Sequence, residues 1–197
     1  NSSADMALIY RIAAFWAGHE GSLLLWLWMT AAIAAVIAFR KLKDPDVYTT
    51  HVLLIINAVN FFFLLVLLVS SDPFKAGAGL TATGMGINPL LLHWAMILHP
   101  PMVFLGNAIL TVPFAYAIAA MLLKKSDASW VNLCRRWTIF AWISVSLGIF
   151  LGALWAYVVL GWGGYWGWDP VENASLLPWL TGTALLHSFT AYRHRGN

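Results

Sequence analysis

One short segment combines large aromatic rings, glycines and an acid in a pattern that suits a flat ligand. Three tryptophans and a tyrosine fall within seven residues, interleaved with glycine and followed by an Asp-Pro pair. Glycine frees the backbone and proline bars ordinary helix continuation, so these rings are predicted to be exposed on a loop. The four rings, here called the aromatic shelf, are Trp162, Tyr165, Trp166 and Trp168.

A membrane-interface belt is the ordinary explanation for clustered tryptophan and tyrosine, since each ring has an apolar body and a polar tip. Anchoring, however, needs no particular spacing. The strict interleaving with glycine and the terminal Asp169 therefore favour a surface on which something large and planar rests.

Two histidines are placed where they could bind a metal. His99 precedes Pro100, which disfavours helical geometry at His99, so its ring is predicted to project from a rigid corner at the height of the aromatic shelf. His187 lies nine residues beyond Pro178, about 13 Å along a helix and so near the bilayer midplane. Ionisable groups at that depth usually face a partner or a cofactor. The simpler alternatives are an interfacial polar residue for His99 and a neutral, hydrogen-bonded imidazole for His187.

The remaining polar candidates favour structural roles. Asp169 and Glu172 suit a helix N-cap and first helical turn better than a catalytic carboxylate pair. The single cysteine, Cys134, belongs to no CxxC, CxxCH or zinc-binding pattern and is predicted to be inert packing. The other histidines are weaker candidates: His19 is predicted to cap or bond the outer loops, His51 and His194 to lie at cytoplasmic helix ends, and His93 has no assigned role.

A flat surface combined with histidines at two depths indicates haem, whose faces stack on aromatic rings and whose iron takes axial imidazole. Chlorophyll or a quinone would also suit the rings. Two separate depths favour two haem sites, or one haem and an electron donor.

The elements that position these residues are membrane helices. The chain has 197 residues, of which 61% are hydrophobic and 10% charged, against roughly 25% charged in soluble domains. About 20 apolar residues cross a bilayer. We therefore predict an all-α, polytopic transmembrane bundle of about five spanning helices; residues 7–16 are too short to span and are expected at the interface. The predicted spans are residues 22–39, 52–69, 101–123, 137–160 and 176–192.

Basic residues predict the sidedness of this bundle. Nine of the 11 Lys and Arg residues flank the apolar runs, so the net charge of +3 indicates membrane topology and no nucleic-acid partner. The positive-inside rule places these clusters in the cytoplasm and the opposite loops, 70–100 and 161–175, outside. Loop 70–100 is long enough to be functional or disordered, and Pro113 is expected to kink its helix. The cytoplasmic cations are Arg40, Lys41, Lys43, Lys124, Lys125, Arg135, Arg136, Arg193 and Arg195.

The chain resembles a known family in three motifs. The stretch WGGYWGWDPVENASLLPWLTGTALLHS resembles, almost residue for residue, the tryptophan-rich WWD signature of the haem-handling proteins of cytochrome c biogenesis, specifically the CcmF/NrfE branch. The segments WAGHEGSLLLW and NPLL…LHPP are similar to further parts of that family. The chain, residues 1–197 with the signature at 161–177, is therefore expected to be one membrane-embedded piece of a longer protein.

The resemblance implies roles for particular residues. It implies that the aromatic shelf and Asp169 bind the edge of haem, that His99 is an axial ligand to haem awaiting transfer, and that His187 binds a resident haem b. The family's second outer and second membrane histidines have no counterpart here. Tyr165 stands where many members have Trp, and Gly167 replaces a larger residue, which predicts a looser shelf.

The function implied by the resemblance is a membrane subunit of the cytochrome c haem lyase system in a bacterial inner membrane, with the Trp-rich signature facing the periplasm. Its implied partners are apocytochrome c, a haem-delivery chaperone, thiol-handling subunits and membrane lipid. The contribution of the chain would be positioning and redox control, since no residue is an obvious covalent catalyst. The alternatives are a haem transporter or exporter subunit and a b-type cytochrome subunit of a respiratory complex.

Overall fold

A computed structural model describes residues 2–74, 84, 86–124 and 129–194 of the chain. The described residues form six α-helices and one short 3₁₀ turn, Pro89–Leu91, and contain no strand. The helices are α1 (Leu8–Ala17), α2 (His19–Lys41), α3 (Val47–Ser70), α4 (Trp94–Leu122), α5 (Ser129–Val159) and α6 (Pro170–His194).

Four of the described helices, α2 to α5, are long and apolar enough to cross a membrane, which confirms four of the predicted spans. The fifth predicted span forms α6, a helix of 25 residues and thus about 37 Å long. Helix α6 is not among the four because its hydroxyl-bearing residues and a histidine lower its mean hydropathy. Helix α1 has 10 residues and is too short to span, as predicted.

The spanning helices run antiparallel along the chain, and α4 with α5 forms the main contact of the bundle. Glycines let these two backbones approach closely: a Cβ on Gly106 would lie 2.9 Å from the backbone nitrogen of Val145, and one on Gly148 would lie 3.0 Å from that of Val103. Small residues at helix contacts are the usual means of close packing in membranes. This contact is called the α4–α5 seam below.

The core lies around α4, where side chains from α2, α3 and α5 meet it. Val52, Ile56 and Val112 are fully buried, and so is Cys134, whose Sγ lies 3.9 Å from the carbonyl oxygen of Pro113. The predicted packing role of Cys134 therefore agrees with its position. The described loop residues before α4 include Asn88, whose side chain caps the 3₁₀ turn; residues 75–83 and 85 of the long loop lie outside the described residues.

One end of the bundle carries most of the described basic residues, and the other carries the aromatic shelf. Asp46 caps α3 at the basic end and makes a 2.9 Å ion pair with Lys41 of α2. Tyr48 of α3 donates a hydrogen bond to the carbonyl of Tyr116 on α4 at the same end. The described cations here are Arg40, Lys41, Lys43, Lys124, Arg135 and Arg136, whereas Lys125 and Arg195 lie outside the described residues.

Helix α6 packs antiparallel along α5 through two tryptophans. The rings of Trp142 and Trp179 stack with centroids 5.8 Å apart. The indole of Trp142 donates to the hydroxyl of Thr183, and that of Trp179 donates to the hydroxyl of Ser146. These hydrogen bonds satisfy two indole N–H groups in an apolar setting, so they fix both the register and the rotation of α6 on α5.

Candidate functional site

The loop that carries the aromatic shelf, residues 161–169 and here called the Trp-rich loop, is ordered by its own contacts. Gly161 and Gly163 have φ angles of +70° and +75°, a conformation that glycine adopts at little cost. The Trp162 indole donates a 2.6 Å hydrogen bond to the carbonyl of Gly164. The loop therefore turns twice and holds its first tryptophan in place.

Three rings of the shelf remain open to ligands. Trp162, Tyr165 and Trp168 are 51%, 57% and 70% exposed. Tyr165 also stacks on Tyr157 of α5, with centroids 4.3 Å apart and planes within 8°. This stack ties the loop to the helix that precedes it and leaves one face of Tyr165 free.

The fourth ring, Trp166, is half-buried and meets Trp168 edge to face at 6.0 Å. Its indole nitrogen is buried and has no hydrogen-bond partner among the described residues. Trp168 itself has a φ of +58°, a left-handed conformation that costs an ordinary residue about 1 to 2 kcal/mol. Such a conformation persists only where the surroundings impose it, here the turn into α6.

Gly167 provides room for the ring of Trp162. The Trp162 ring lies so close to Gly167 that a Cβ there would be 2.8 Å from Cζ3 of that ring. A side chain at position 167 would therefore have to displace the Trp162 ring, and the expected looseness of the shelf stays a prediction.

The acids after the loop form a capping box at the start of α6. Asp169 accepts a 2.6 Å hydrogen bond from the backbone N–H of Glu172, and Glu172 accepts from the N–H of Gly167 at 2.8 Å and from that of Asp169 at 3.4 Å. This reciprocal pattern satisfies N–H groups that a helix start leaves unpaired. The N-cap prediction for Asp169 is confirmed, and its contact with a ligand stays a prediction.

His99 lies inside α4 and not at a corner, which corrects the geometry expected from the following prolines. The helix begins at Trp94, with the side chain of His93 accepting from the backbone N–H of Ala95, and continues through Pro100 and Pro101. In a membrane the backbone has no water to bond to, so helix continuation outweighs the local preference of a residue before proline.

The His99 ring is held in a slot of the α4–α5 seam. Nδ1 lies 2.7 Å from the carbonyl oxygen of Gly148. The ring covers Gly152 so closely that a Cβ there would lie 2.6 Å from Cε1 and 2.8 Å from Nδ1. Because a carbonyl only accepts, Nδ1 must carry the proton, and Nε2 is then the nitrogen with the free lone pair.

The depth of His99 also differs from the expectation. Gly152 and Gly148 precede Val159, the last residue of α5, by distances of about 10 and 17 Å along the axis. His99 therefore lies below the height of the shelf. His99 contacts Gly148, and Tyr165 contacts Tyr157. Gly148 and Tyr157 are about two and a half helical turns apart, so the two contacts lie on opposite faces of α5.

His187 is exposed on α6. It lies about 25 Å along the helix from Pro170, since α6 begins at Pro170 and the predicted span began at residue 176. The expected 13 Å is thus too short as a depth from the helix start. Thr183, one turn earlier, pairs with Trp142 of α5, which places His187 about 15 Å deeper than His99 along the bundle.

His99 and His187 therefore cannot ligate one iron between them. The described residues contain no group of three or more His, Cys, Asp or Glu side chains that could hold a metal ion. A haem needs only one or two protein ligands, since its porphyrin supplies the rest, and a histidine whose Nδ1 is bound to a carbonyl suits that role.

Sequence reasoning missed three residues that position these groups. Gly148 and Gly152 form the slot for His99, and their Gly-x-x-x-Gly spacing, GIFLG, is a known signal of close helix contact in membranes. Tyr157, which supports Tyr165, carries no such signal. Of the other histidines, His51 bonds the carbonyl of Val47 within its own helix and His19 is exposed at the start of α2.

Comparison with known proteins identifies the family. The sequence profile described as "Cytochrome C assembly protein" matches residues 16–197. The chain belongs to this cytochrome c assembly family. Among curated members, "Cytochrome c-type biogenesis protein CcmF" of Haemophilus influenzae is 41% identical over 198 residues, covering 100% of this chain and 31% of that protein.

Two further relatives agree with this assignment. "Probable cytochrome c-type biogenesis protein NrfE" of Escherichia coli is 42% identical over 186 residues, covering 94% of this chain and 34% of the relative. A solved structure of "Cytochrome c Heme Lyase CcmF" is similar with a TM-score of 0.78 and 36% identity, over 97% of this chain and 30% of that one. This member of the cytochrome c assembly family thus spans about a third of the length of the relatives it matches.

Proposed function

We propose that this chain is the haem-presenting part of a cytochrome c haem lyase. The Trp-rich loop carries this proposal: it holds three large rings at least half exposed on a backbone fixed by its own hydrogen bonds, in a chain whose similar solved structure is named a haem lyase. Haem would supply the vinyl groups that form thioether bonds with reduced CxxCH thiols of an apocytochrome. The residues of the chain would bind, orient and shield it.

In this proposal the shelf and His99 have separate tasks. Trp162, Tyr165, Trp166 and Trp168, with Asp169 at their end, provide contact with the edge of haem in transit, while Nε2 of His99 provides the iron bond. His99 and Tyr165 lie on different faces of α5, and this proposal assigns the rest of the haem pocket to regions of the longer protein beyond this chain. The second axial ligand would come from there as well.

We further propose that His187 binds a resident haem b, which keeps the transferred iron reduced. The imidazole is exposed on α6, and a histidine within a membrane bundle usually faces a partner or a cofactor. Because His187 lies about 15 Å deeper than His99, this haem would be distinct from the one in transit. A passive b-type cytochrome would instead need two histidines facing one another, an arrangement that His99 and His187 do not form.

The proposed setting is a bacterial inner membrane, with the Trp-rich loop facing the periplasm and the basic end facing the cytoplasm. The proposed partners are apocytochrome c, a haem-delivery chaperone, thiol-handling subunits and the surrounding lipid. The separation of the basic end from the shelf by the length of the bundle supports this orientation.

The test uses the full-length protein and covalent haem in a reporter cytochrome c, measured by peroxidase-stained gels. Replacing a shelf tryptophan by alanine should reduce maturation in part, since each large ring contributes about 1.5 to 3 kcal/mol when buried by a ligand. His99→Ala should nearly abolish maturation. The matched control is Trp28→Ala, which removes a tryptophan of similar exposure, 65%, from α2, outside the loop.

A reduced-minus-oxidised spectrum of each variant tests the second site. His187→Ala should lose most of the resident haem b, whereas the shelf variants should retain it. Full maturation in a Trp162/Trp166/Trp168 triple alanine variant would show that the loop is a membrane anchor. Export of haem to the periplasm without thioether formation would favour the transporter class instead.

A further inference from the structure

The slot that holds His99 suggests a task for two glycines of α5. The Gly148 carbonyl accepts from Nδ1 at 2.7 Å, which leaves Nε2 unprotonated. The missing side chain at Gly152 leaves room for the ring, since a Cβ there would lie 2.6 Å from Cε1 and 2.8 Å from Nδ1. Gly148 itself cannot carry a side chain without meeting the backbone of Val103 at 3.0 Å. The Gly148 carbonyl therefore fixes the tautomer of the imidazole, and Gly152 leaves the space in which the ring lies.

We propose that Gly148 and Gly152 are positioning residues that present Nε2 of His99 as the iron-binding atom. This inference rests on the proposed function, because it assumes that His99 binds iron. A carbonyl bonded to the second ring nitrogen orients a metal-binding histidine and makes it a better ligand, and losing such a partner weakens metal binding about 10- to 100-fold. Gly148 and Gly152, four residues apart on one face of α5, would together orient the His99 ring.

Gly152→Ala is the discriminating variant, because the nearest atoms to the added methyl group all belong to the His99 ring. We expect haem at the His99 site of the full-length protein to bind about 10- to 100-fold more weakly, with an altered visible spectrum. Gly182→Ala is the matched control: it adds the same methyl group to a membrane helix, where its nearest neighbour, Cδ1 of Trp142, lies at 3.8 Å. It should leave both readouts unchanged.

Two further measurements separate positioning from general damage. In a His99→Gly background supplied with imidazole, Gly152→Ala should cause no additional loss, since a free ligand orients itself. In haem-free protein labelled with ¹⁵N-histidine, the His99 signal should show a protonated Nδ1 and a bare Nε2, and Gly152→Ala should mix the two tautomers.

The outcomes are distinguishable. Normal haem affinity and spectrum in Gly152→Ala, alongside loss of haem in His99→Ala, would overturn the positioning role and leave the proposed function intact. An Nε2-protonated His99 in the haem-free protein would also overturn it. Unchanged haem binding in His99→Ala would instead refute His99 as a ligand, and with it the proposed use of the slot.

Discussion

The carboxylate of Glu172 accepts a hydrogen bond from the backbone N–H of Gly167 at 2.8 Å, so an acid in the first turn of α6 holds the end of the Trp-rich loop. The same oxygen accepts from the N–H of Asp169. An acidic side chain at this place also meets the positive end of the helix dipole. The acid thus fixes the loop without itself needing to touch a ligand.

Removing this carboxylate should loosen the loop while leaving the bundle folded. Losing a helix-capping interaction costs about 1 kcal/mol, so Glu172→Ala should speed hydrogen exchange of the Gly167 N–H about fivefold. Maturation of a reporter cytochrome should fall in parallel. Glu20→Ala is the control, since Glu20 lies in the first turn of α2 at the same end of the bundle. Equal exchange rates in the two variants would contradict the role of Glu172.

The α4–α5 seam should tolerate no added methyl group at Gly106. The new Cβ would lie 2.9 Å from the backbone nitrogen of Val145 and 3.0 Å from the carbonyl oxygen of Ala141, and backbone cannot move aside as a side chain can. Overpacking of this kind costs about 1 to 3 kcal/mol. Thermal unfolding of the detergent-solubilised protein should show a lower midpoint for Gly106→Ala than for Gly182→Ala. An unchanged midpoint would mean that the two helices are less tightly apposed.

Asp46 should make stability depend on pH in the acid range. Partial burial raises the pKa of its carboxyl, but the Thr49 backbone N–H, the Lys41 ammonium and the Thr49 hydroxyl together lower it to about 2. A lowered pKa in the folded state means that the ionised form stabilises the fold above the ordinary carboxyl range, and that this contribution is lost as pH falls from about 4 to about 2.

The measurement is the difference in unfolding midpoint between the wild type and Asp46→Asn as pH is lowered. Asparagine caps a helix about as well as aspartate, so the variant removes the negative charge, and with it the ion pair with Lys41, while keeping a capping group. That pair is partly exposed, so a difference well under 1 kcal/mol is expected near neutral pH, vanishing near pH 2. A constant difference across this range would show that charge at Asp46 is irrelevant.

The proposed orientation predicts which end of the bundle meets the periplasm. A cysteine introduced at Gly163 should react with an impermeant maleimide in cells whose outer membrane has been permeabilised, and one at Lys124 should not. Native Cys134 is fully buried between α4 and α5, so it should contribute no background; other cysteines of the longer protein would be replaced. Labelling at position 124 with protection at 163 would reverse the topology.

Hydrophobic runs predicted the spanning helices well, because about 20 apolar residues have few alternatives to a membrane helix. The start of α6 was also predictable, since Asp169, Pro170 and Glu172 follow the usual order of cap, first turn and capping partner. In these cases the deciding interactions are local in sequence.

The placement of His99 was not predictable in the same way. Local rules treat the residue before a proline as a helix boundary, yet the helix continues through it, and the ring of His99 is held by α5, some fifty residues later. Likewise, the support of Tyr165 by Tyr157 depends on how the Trp-rich loop folds back. Such long-range contacts leave only weak traces in a single sequence.

The two prolines that follow His99 give the first part of α4 an unusual mechanical character. Pro100 and Pro101 have no N–H to donate to the carbonyls of Met96 and Ile97. The helix therefore lacks two backbone hydrogen bonds beside His99, the proposed iron ligand. Amides of this segment should exchange by local opening at a lower free energy than those of residues 103–120, where the seam is closed by glycine contacts. His99 then sits at the boundary between a yielding segment and a rigid one. Local opening of this one turn would move the imidazole while the rest of the bundle stays folded.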